Sequence, residues 1–160
     1  MTEDLKASID LLRKVSPKLN KATDEAHEVV AEVERFLNNE CSIGVRAIVG
    51  IDEEDLPEDR RRDTYLVYDR VDGKYRIAVE TVLVENVQME GMSTVNAYEA
   101  TRYCREDITP WVSCPRHIKL ESFPKLPRLL KYIGEKVQEI ASLTNDAIKA
   151  VKETRKAMGK

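Results

Sequence analysis

Leu12, Val15, Leu19, Ala22, Ala26, Val29, Val33 and Phe36 follow one another at spacings that alternate between three and four. Such alternation returns a side chain to the same helical face every seven residues, so it predicts an amphipathic helix with a narrow apolar seam. A second run, Leu126, Leu130, Ile133, Val137, Ile140, Thr144, Ala147, Val151, Thr154 and Met158, alternates in the same way. Leu129, Ala141 and Ile148 widen it at the flanks, while Gly134 and Thr144-Asn145 weaken the helix locally. About 33 residues at a rise of 1.5 Å reach roughly 50 Å, longer than a compact domain of this size needs. Upstream of the first seam, Leu5 and Ile9 continue a helical face whose phase slips at Val15-Ser16-Pro17. Proline has no N–H to donate to the ladder, so a break is expected there, with Ser16 as cap. The main helix then runs from about Pro17 to Leu37 and stops at Asn38-Asn39.

Between the seams the period changes to two. Ile43, Val45, Ala47, Val49 and Ile51 fall on one face of a strand over residues 43–51, followed by a highly charged connection, DEEDLPEDRRRD. TYLVYDRV and KYRIAVETVLV then flank Asp72-Gly73. An Asp-Gly pair between β-rich runs marks a two-residue hairpin, because both residues tolerate the positive φ of a type I′ turn. That loop sets Val71 opposite Lys74, Asp69 opposite Arg76, Tyr68 opposite Ile77 and Leu66 opposite Val79. Leu66, Tyr68, Tyr75, Ile77 and Val79 are thereby placed on the core side, and Asp69 is expected to pair with Arg76. The second hairpin strand is expected to run through Val84 and end at Asn86. Val95, Ala97 and Tyr103 suggest a further strand. Thr109-Pro110-Trp111 and Ser113-Cys114-Pro115 read as starts of short helices, although HIKLESF is equally compatible with a strand.

The predicted fold is α+β, with long N- and C-terminal helices flanking a small, mainly antiparallel sheet. It forms one domain over 1–160, divided into a helical arm (1–40), a β-rich head (41–123) and a second helical arm (124–160). Charge is segregated along it. Residues 1–40 hold nine acids and six bases (−3), residues 41–123 sixteen and eleven (−5), and residues 124–160 four and nine (+5). Opposite charge and matched seams favour pairing of the two helices as an antiparallel hairpin capped by the head; the alternative is that both cover the sheet. A homodimer joined through the same stripes, giving a four-helix bundle, is the natural extension.

Composition narrows the functional classes. Hydrophobic residues at 42% and charged residues at 34% describe a globular chain, not a disordered one. No apolar run is long enough to span a membrane. The MTEDLKASID start has no apolar signal region, and an odd cysteine count argues against a secreted disulfide framework, so a cytoplasmic protein is expected. Cys114 and His117 have ligand spacing, and Cys104 or Cys41 would complete a zinc set, but structural zinc sites usually present two close pairs and one is present here. A Cys114–His117 nucleophilic pair lacks any surrounding signature. His27 falls between seam positions, on the solvent side of its helix. Arg60-Arg61-Arg62 lies among acids and reads as a solvated, self-paired loop. Lys149, Lys152, Arg155, Lys156 and Lys160 complement a helix C-terminus, and an isoelectric point near 5.6 disfavours nucleic acid. No phosphate loop, serine elbow or HExxH run occurs, and no cofactor is expected.

The helix–sheet–helix order is similar in broad organisation to prefoldin subunits and coiled-coil hinge proteins, an architectural likeness that no motif supports and that implies no activity. The leading expectation is a non-enzymatic interaction or scaffold protein with a protein partner. Its seam would comprise Leu19, Val29, Val33, Ile133, Val137, Ile140 and Val151. A small-ligand regulator or enzyme with a pocket between sheet and helices, involving Arg46, Tyr98, Arg102 and Trp111, is the second expectation. A nucleic-acid accessory protein using the basic terminal helix is the third.

Overall fold

The computed structural model describes residues 3–90 and 97–159, without the side chains of 88–90 and 97–99. Helix α1 (Glu3–Arg35) ends in a π-helical turn (Phe36–Glu40) and leads into β1 (Ala47–Leu56), β2 (Arg60–Val71), β3 (Lys74–Glu90) and β4 (Ala97–Pro110). A 3-10 turn (Trp111–Ser113), helix α2 (Arg116–Ser122), a second 3-10 turn (Phe123–Lys125) and helix α3 (Leu126–Ala157) follow. The strands form one antiparallel sheet in the order β1-β2-β3-β4. Two long terminal helices flanking an antiparallel sheet is the α+β architecture expected from the sequence.

The Asp-Gly hairpin forms in the predicted register, with Val71 opposite Lys74, Tyr68 opposite Ile77 and Leu66 opposite Val79. Asp72 and Gly73 have φ of 49° and 83°, as a type I′ turn requires. Leu66, Tyr68, Ile77 and Val79 enter the main core with Ala47 and Val49 of β1, and Tyr75 packs against it. β3 runs past Asn86 to Glu90, and β4 covers the strand suggested by Ala97 and Tyr103; Val95 lies outside the described residues. Residues 43–46 are a connection and β1 begins at Ala47. Ile43 nevertheless packs on the core.

The charged stretch expected to be a loop is a second hairpin. Glu54 faces Arg62 and Asp55 faces Arg61, so a run of acids meets a run of bases across the strands. Glu58 and Asp59 make the turn with φ of 64° and 53°, a left-handed conformation adopted without glycine. Arg62 bonds Glu54 at 3.1 Å and Glu106 at 2.8 Å, and Arg61 bonds Asp63 at 2.6 Å. The arginines are self-paired as predicted, but in a strand.

Helix α1 passes through Pro17 unbroken. Pro17 is exposed on a stretch that touches no sheet, so a local loss of ladder bonding is met by water rather than by a buried orphan group. At the other end the π-helical turn supplies the stop expected at Asn38-Asn39. Asn38 donates to Tyr75 O at 2.9 Å, and its Oδ1 lies 2.7 Å from the Tyr68 hydroxyl, which also stands 2.9 Å from Ile43 O. This network fixes the helix end to the first hairpin.

The helices do not form the expected antiparallel hairpin. Their inner halves lie on the same face of the sheet: Val30 and Leu37 from the first, Leu126, Leu129 and Ile133 from the last, join Trp111 in the core. They also run in the same direction. Asn20 meets Arg116, His27 meets Trp111, and Ala26 and Val29 share a groove with Phe123; Val33 and Phe36 share one with Leu130 and Ile133. Positions advancing along α1 therefore meet positions advancing along the chain from α2 into α3. The reason is topological. In a four-stranded meander β1 begins and β4 ends at the same end of the sheet but on opposite edges. A helix entering β1 and a helix leaving β4 across one face must both travel from the β4 edge to the β1 edge.

Consequently the two ends overhang opposite edges. Every residue of 3–22 except Ile9 is exposed, and so is every residue of 138–159. The sheet boundary should therefore divide the stability contributions of each stripe. Ile133→Ala is expected to lower unfolding free energy by about 2–5 kcal/mol. Ile140→Ala, one heptad further along the same stripe, should change it by less than about 0.5 kcal/mol. Urea denaturation of the two variants measures both, and equal losses would show that the outer half of α3 is packed within the monomer.

Candidate interaction surface

Leu5, Leu12, Leu19, Ala26 and Val33 are spaced by seven and share one face of α1. Ala26 and Val33 pack on the core, whereas Leu19, Leu12 and Leu5 are 39%, 60% and 49% exposed. On α3, Leu126 and Ile133 are buried, and Ile140, again seven residues on, is 44% exposed. Val137 packs on the core and Val151 of the same row is exposed. Each stripe is thus one continuous apolar face whose inner half is satisfied by the sheet and whose outer half is bare. Of the seven seam residues expected from the sequence, Val33, Ile133 and Val137 serve the core; Leu19, Val29, Ile140 and Val151 remain open. A large exposed apolar surface of this kind marks interaction sites on soluble proteins.

The opposite charges that favoured helix pairing sit on the inner halves. Residues 23–40 carry six acids and one base, and 124–137 carry one acid and four bases, so the contrast falls where the helices lie side by side. The overhangs themselves are both mildly basic, with three acids and five bases over 3–22 and three and four over 138–157. Charge therefore does not favour pairing one overhang with the other.

Two apolar grooves lie along α1, one against the Trp111–Phe123 segment and one against α3. One, about 420 Å³, is lined by Ala22, Ala26 and Val29 opposite Trp111, Leu120 and Phe123. The other, about 380 Å³, is lined by Val33 and Phe36 opposite Leu130 and Gly134. The Trp111 ring forms the floor of the first, donating from Nε1 to Ser122 Oγ at 2.9 Å, with Lys119 Nζ 5.7 Å above its centre. His27, expected on the solvent side, packs edge-on against Trp111 at 5.3 Å, and its Nε2 is buried without a hydrogen-bond partner.

The sheet's other face carries no helix among the described residues and has a different chemistry. Val67, Val71 and Ala78 form a small buried cluster with Tyr65 and Ile108 packed on it. Beside it, Arg46 and Arg105 both bond Glu80, which is 2% exposed, and both reach Asp69, at 2.9 and 2.8 Å. Burial alone would raise the Asp69 pKa. Hydrogen bonds from the Arg70 N–H, Arg46 and Arg105 outweigh it and hold the carboxyl below its ordinary range. Asp69 thus faces Arg76 in register but spends its charge elsewhere. Arg76 turns to Glu34 at 3.9 Å, and burial raises the Glu34 carboxyl despite the Ile77 N–H and Arg76. Nearby, the Arg61 hydrogen bond lowers Asp63, while burial and Asp63 push the Tyr65 hydroxyl up to about 12. Two guanidiniums facing two carboxylates leave no surplus charge to recruit a ligand. The network gives a charged but balanced surface to a face that no described helix covers.

Residues proposed for other chemistries are dispersed. Cys114 is buried in the core, its thiol pushed up by burial; Cys41 is exposed beyond the π-helical turn, Cys104 lies mid-β4 and His117 is exposed on α2. Among the described residues no three His, Cys, Asp or Glu side chains converge as metal ligands. Arg46 belongs to the open-face network, Arg102 pairs with Glu85 at 3.0 Å, and Trp111 is core, so no shared pocket joins them; the Tyr98 side chain lies outside the described residues. No helix of the described residues is long and apolar enough to cross a membrane. The chain matches no protein-family model, and comparisons with curated proteins and with solved structures find no match either.

The ion network makes a pH prediction. A carboxyl with a folded pKa below its unfolded value stabilises fully above the unfolded pKa of about 3.9, and loses that contribution as pH falls through the folded value. Glu34, shifted the other way, gains relief on acidification. Asp69→Asn should therefore cost about 1–3 kcal/mol at pH 7 and flatten the fall in stability between about pH 5 and pH 2. Urea midpoints across that range test it; an unchanged acid limb would mean Asp69 is not a contributor.

Proposed function

We propose that this protein is a non-enzymatic interaction protein that docks polypeptide partners on the apolar stripes of its two overhanging helices. The observation that carries the reading is the continuity of those stripes. The same heptad rows that bind the sheet run on past it in both helices, with leucine, isoleucine and valine in open solvent. An overhang needed only for length or solubility would have no use for a phased apolar face. The second expectation, a ligand pocket between sheet and helices, draws less support, because Arg46, Arg102 and Trp111 do not meet in one pocket. The basic terminal helix is a poor nucleic-acid footprint, since three acids interrupt it over 138–157 and its apolar stripe competes for the same surface.

Photo-crosslinking residues placed in living cells at Leu12 and Val151 are expected to capture a polypeptide, either another copy or a different protein. The same probe at Lys21 or Ser142, on the opposite helical faces, should capture little. Leu12→Asp with Leu19→Asp should abolish capture at the first stripe while shifting the melting temperature of the head by no more than a few degrees. Equal capture from both faces, or none from the stripes, sinks the proposal.

A further inference from the structure

We infer that the apolar groove between α1 and the α2–α3 segment is the receptor for the C-terminal overhang of a second copy of this chain, an identification of the partner that rests on the interaction reading above. The groove has an acidic wall on α1 and a basic wall opposite, where Lys119 lines it and residues 124–137 carry four bases against one acid. Residues 22–36 carry five acids and one base, and Glu25 and Glu32, both exposed, are among its lining residues. The overhang of α3 has the complementary character. Ile140, Ala147, Val151 and Met158 give it a narrow apolar stripe, and residues 146–160 hold five bases against two acids. Lys152 and Arg155 border that stripe on one side, while Glu139 and Asp146 fall on the other.

Dimensions agree. The two grooves follow one another along α1 from Ala22 to Phe36, together about 21 Å at the helical rise, and the stripe from Ile140 to Met158 extends about 27 Å. An amphipathic helix laid in an apolar groove between two helices is a recurrent recognition mode, read through anchors spaced three and four residues apart. The α1 overhang is a poorer occupant, because its bases fall on both sides of its stripe, Lys6 and Arg13 on one and Lys14 and Lys18 on the other, and Pro17 interrupts its ladder. Within one chain the α3 overhang points away from its own groove, so the contact is between copies.

Charge reversal in both surfaces tests this against other modes of association. Sedimentation velocity of the full chain in low salt should show concentration-dependent self-association that weakens in high salt. Glu25→Lys with Glu32→Lys sets a basic groove against a basic overhang and should weaken association at least tenfold. Lys152→Glu with Arg155→Glu sets acid against acid and should do the same. All four changes together, or an equimolar mixture of the two double variants, should restore it. Circular dichroism and the melting temperature of each variant separate lost association from lost folding, since all four sites are exposed. Self-association indifferent to both reversals would overturn the groove assignment while leaving the stripes as docking surfaces. A monomer at every concentration that still gives stripe-specific capture of a different protein in cells would overturn the second copy as partner. A monomer with no capture removes both readings.

Discussion

Everything else in this molecule depends on one contact, the burial of a single sheet face beneath the inner halves of two helices. Leu66, Tyr68 and Ile77 from the strands and Val30, Trp111, Leu129 and Ile133 from above are each no more than 1% exposed. Burying side chains of this size contributes roughly 1.5–3 kcal/mol apiece, which makes this layer the dominant favourable term. Because β1 enters and β4 leaves at opposite edges, the layer can be completed only by helices that cross the sheet in the same sense. Their surplus length has then to emerge at opposite edges. The overhangs, the grooves and the separation of the two seams all follow from where the strands begin and end.

The hairpin at Asp72-Gly73 was legible because turn chemistry and apolar alternation specify the same register, and the terminal helices because their period persists over many turns. The second hairpin was harder to read. Its strands lack alternation, being held by Glu54 against Arg62 and Asp55 against Arg61, and its turn uses Glu58 and Asp59 at positive φ where glycine is the usual signal. The mirror order of acids and bases around Pro57 was the available clue. Seam partners were not legible at all. A heptad row reports that one face of a helix will be covered, and it is silent on whether a sheet, a helix or another chain does the covering. Ala26 and Leu19 belong to the same row, yet one packs on the core and the other is open.

Segment charge has a related limit. Summed over whole segments, −3 against +5 suggested that the helices attract along their length. Divided at the sheet edge, the contrast belongs to the inner halves, which lie side by side. No ion pair joins α1 to α3 among the described residues; the acids of α1 instead line one side of an open groove. Net charge per segment is too coarse when half of a helix is in a layer and half in solvent. The open sheet face teaches the converse. Asp69, Glu80, Arg46 and Arg105 are scattered through three strands and a loop, and only the register brings them together.

The overhangs themselves carry a thermodynamic argument. Each is about twenty residues long, only modestly above the ~12–15 residues below which an isolated helix in water is marginal, because nucleation is costly and propagation gains little per residue. The first contains a proline and the second carries threonines in its seam that bond back to the helix: Thr144 and Thr154 each donate to the carbonyl four residues earlier. Such back-bonding gives no tertiary support. Neither overhang has a buried residue to offset the entropy of ordering it, whereas each has a phased row of large apolar side chains. Ordering such a segment is favourable chiefly when that row is covered. The inner halves show what cover is worth, since the same repeat, laid on Leu66 and Ile77, builds the core. Continuing that repeat into solvent makes each helix end a surface whose folding and docking are thermodynamically coupled.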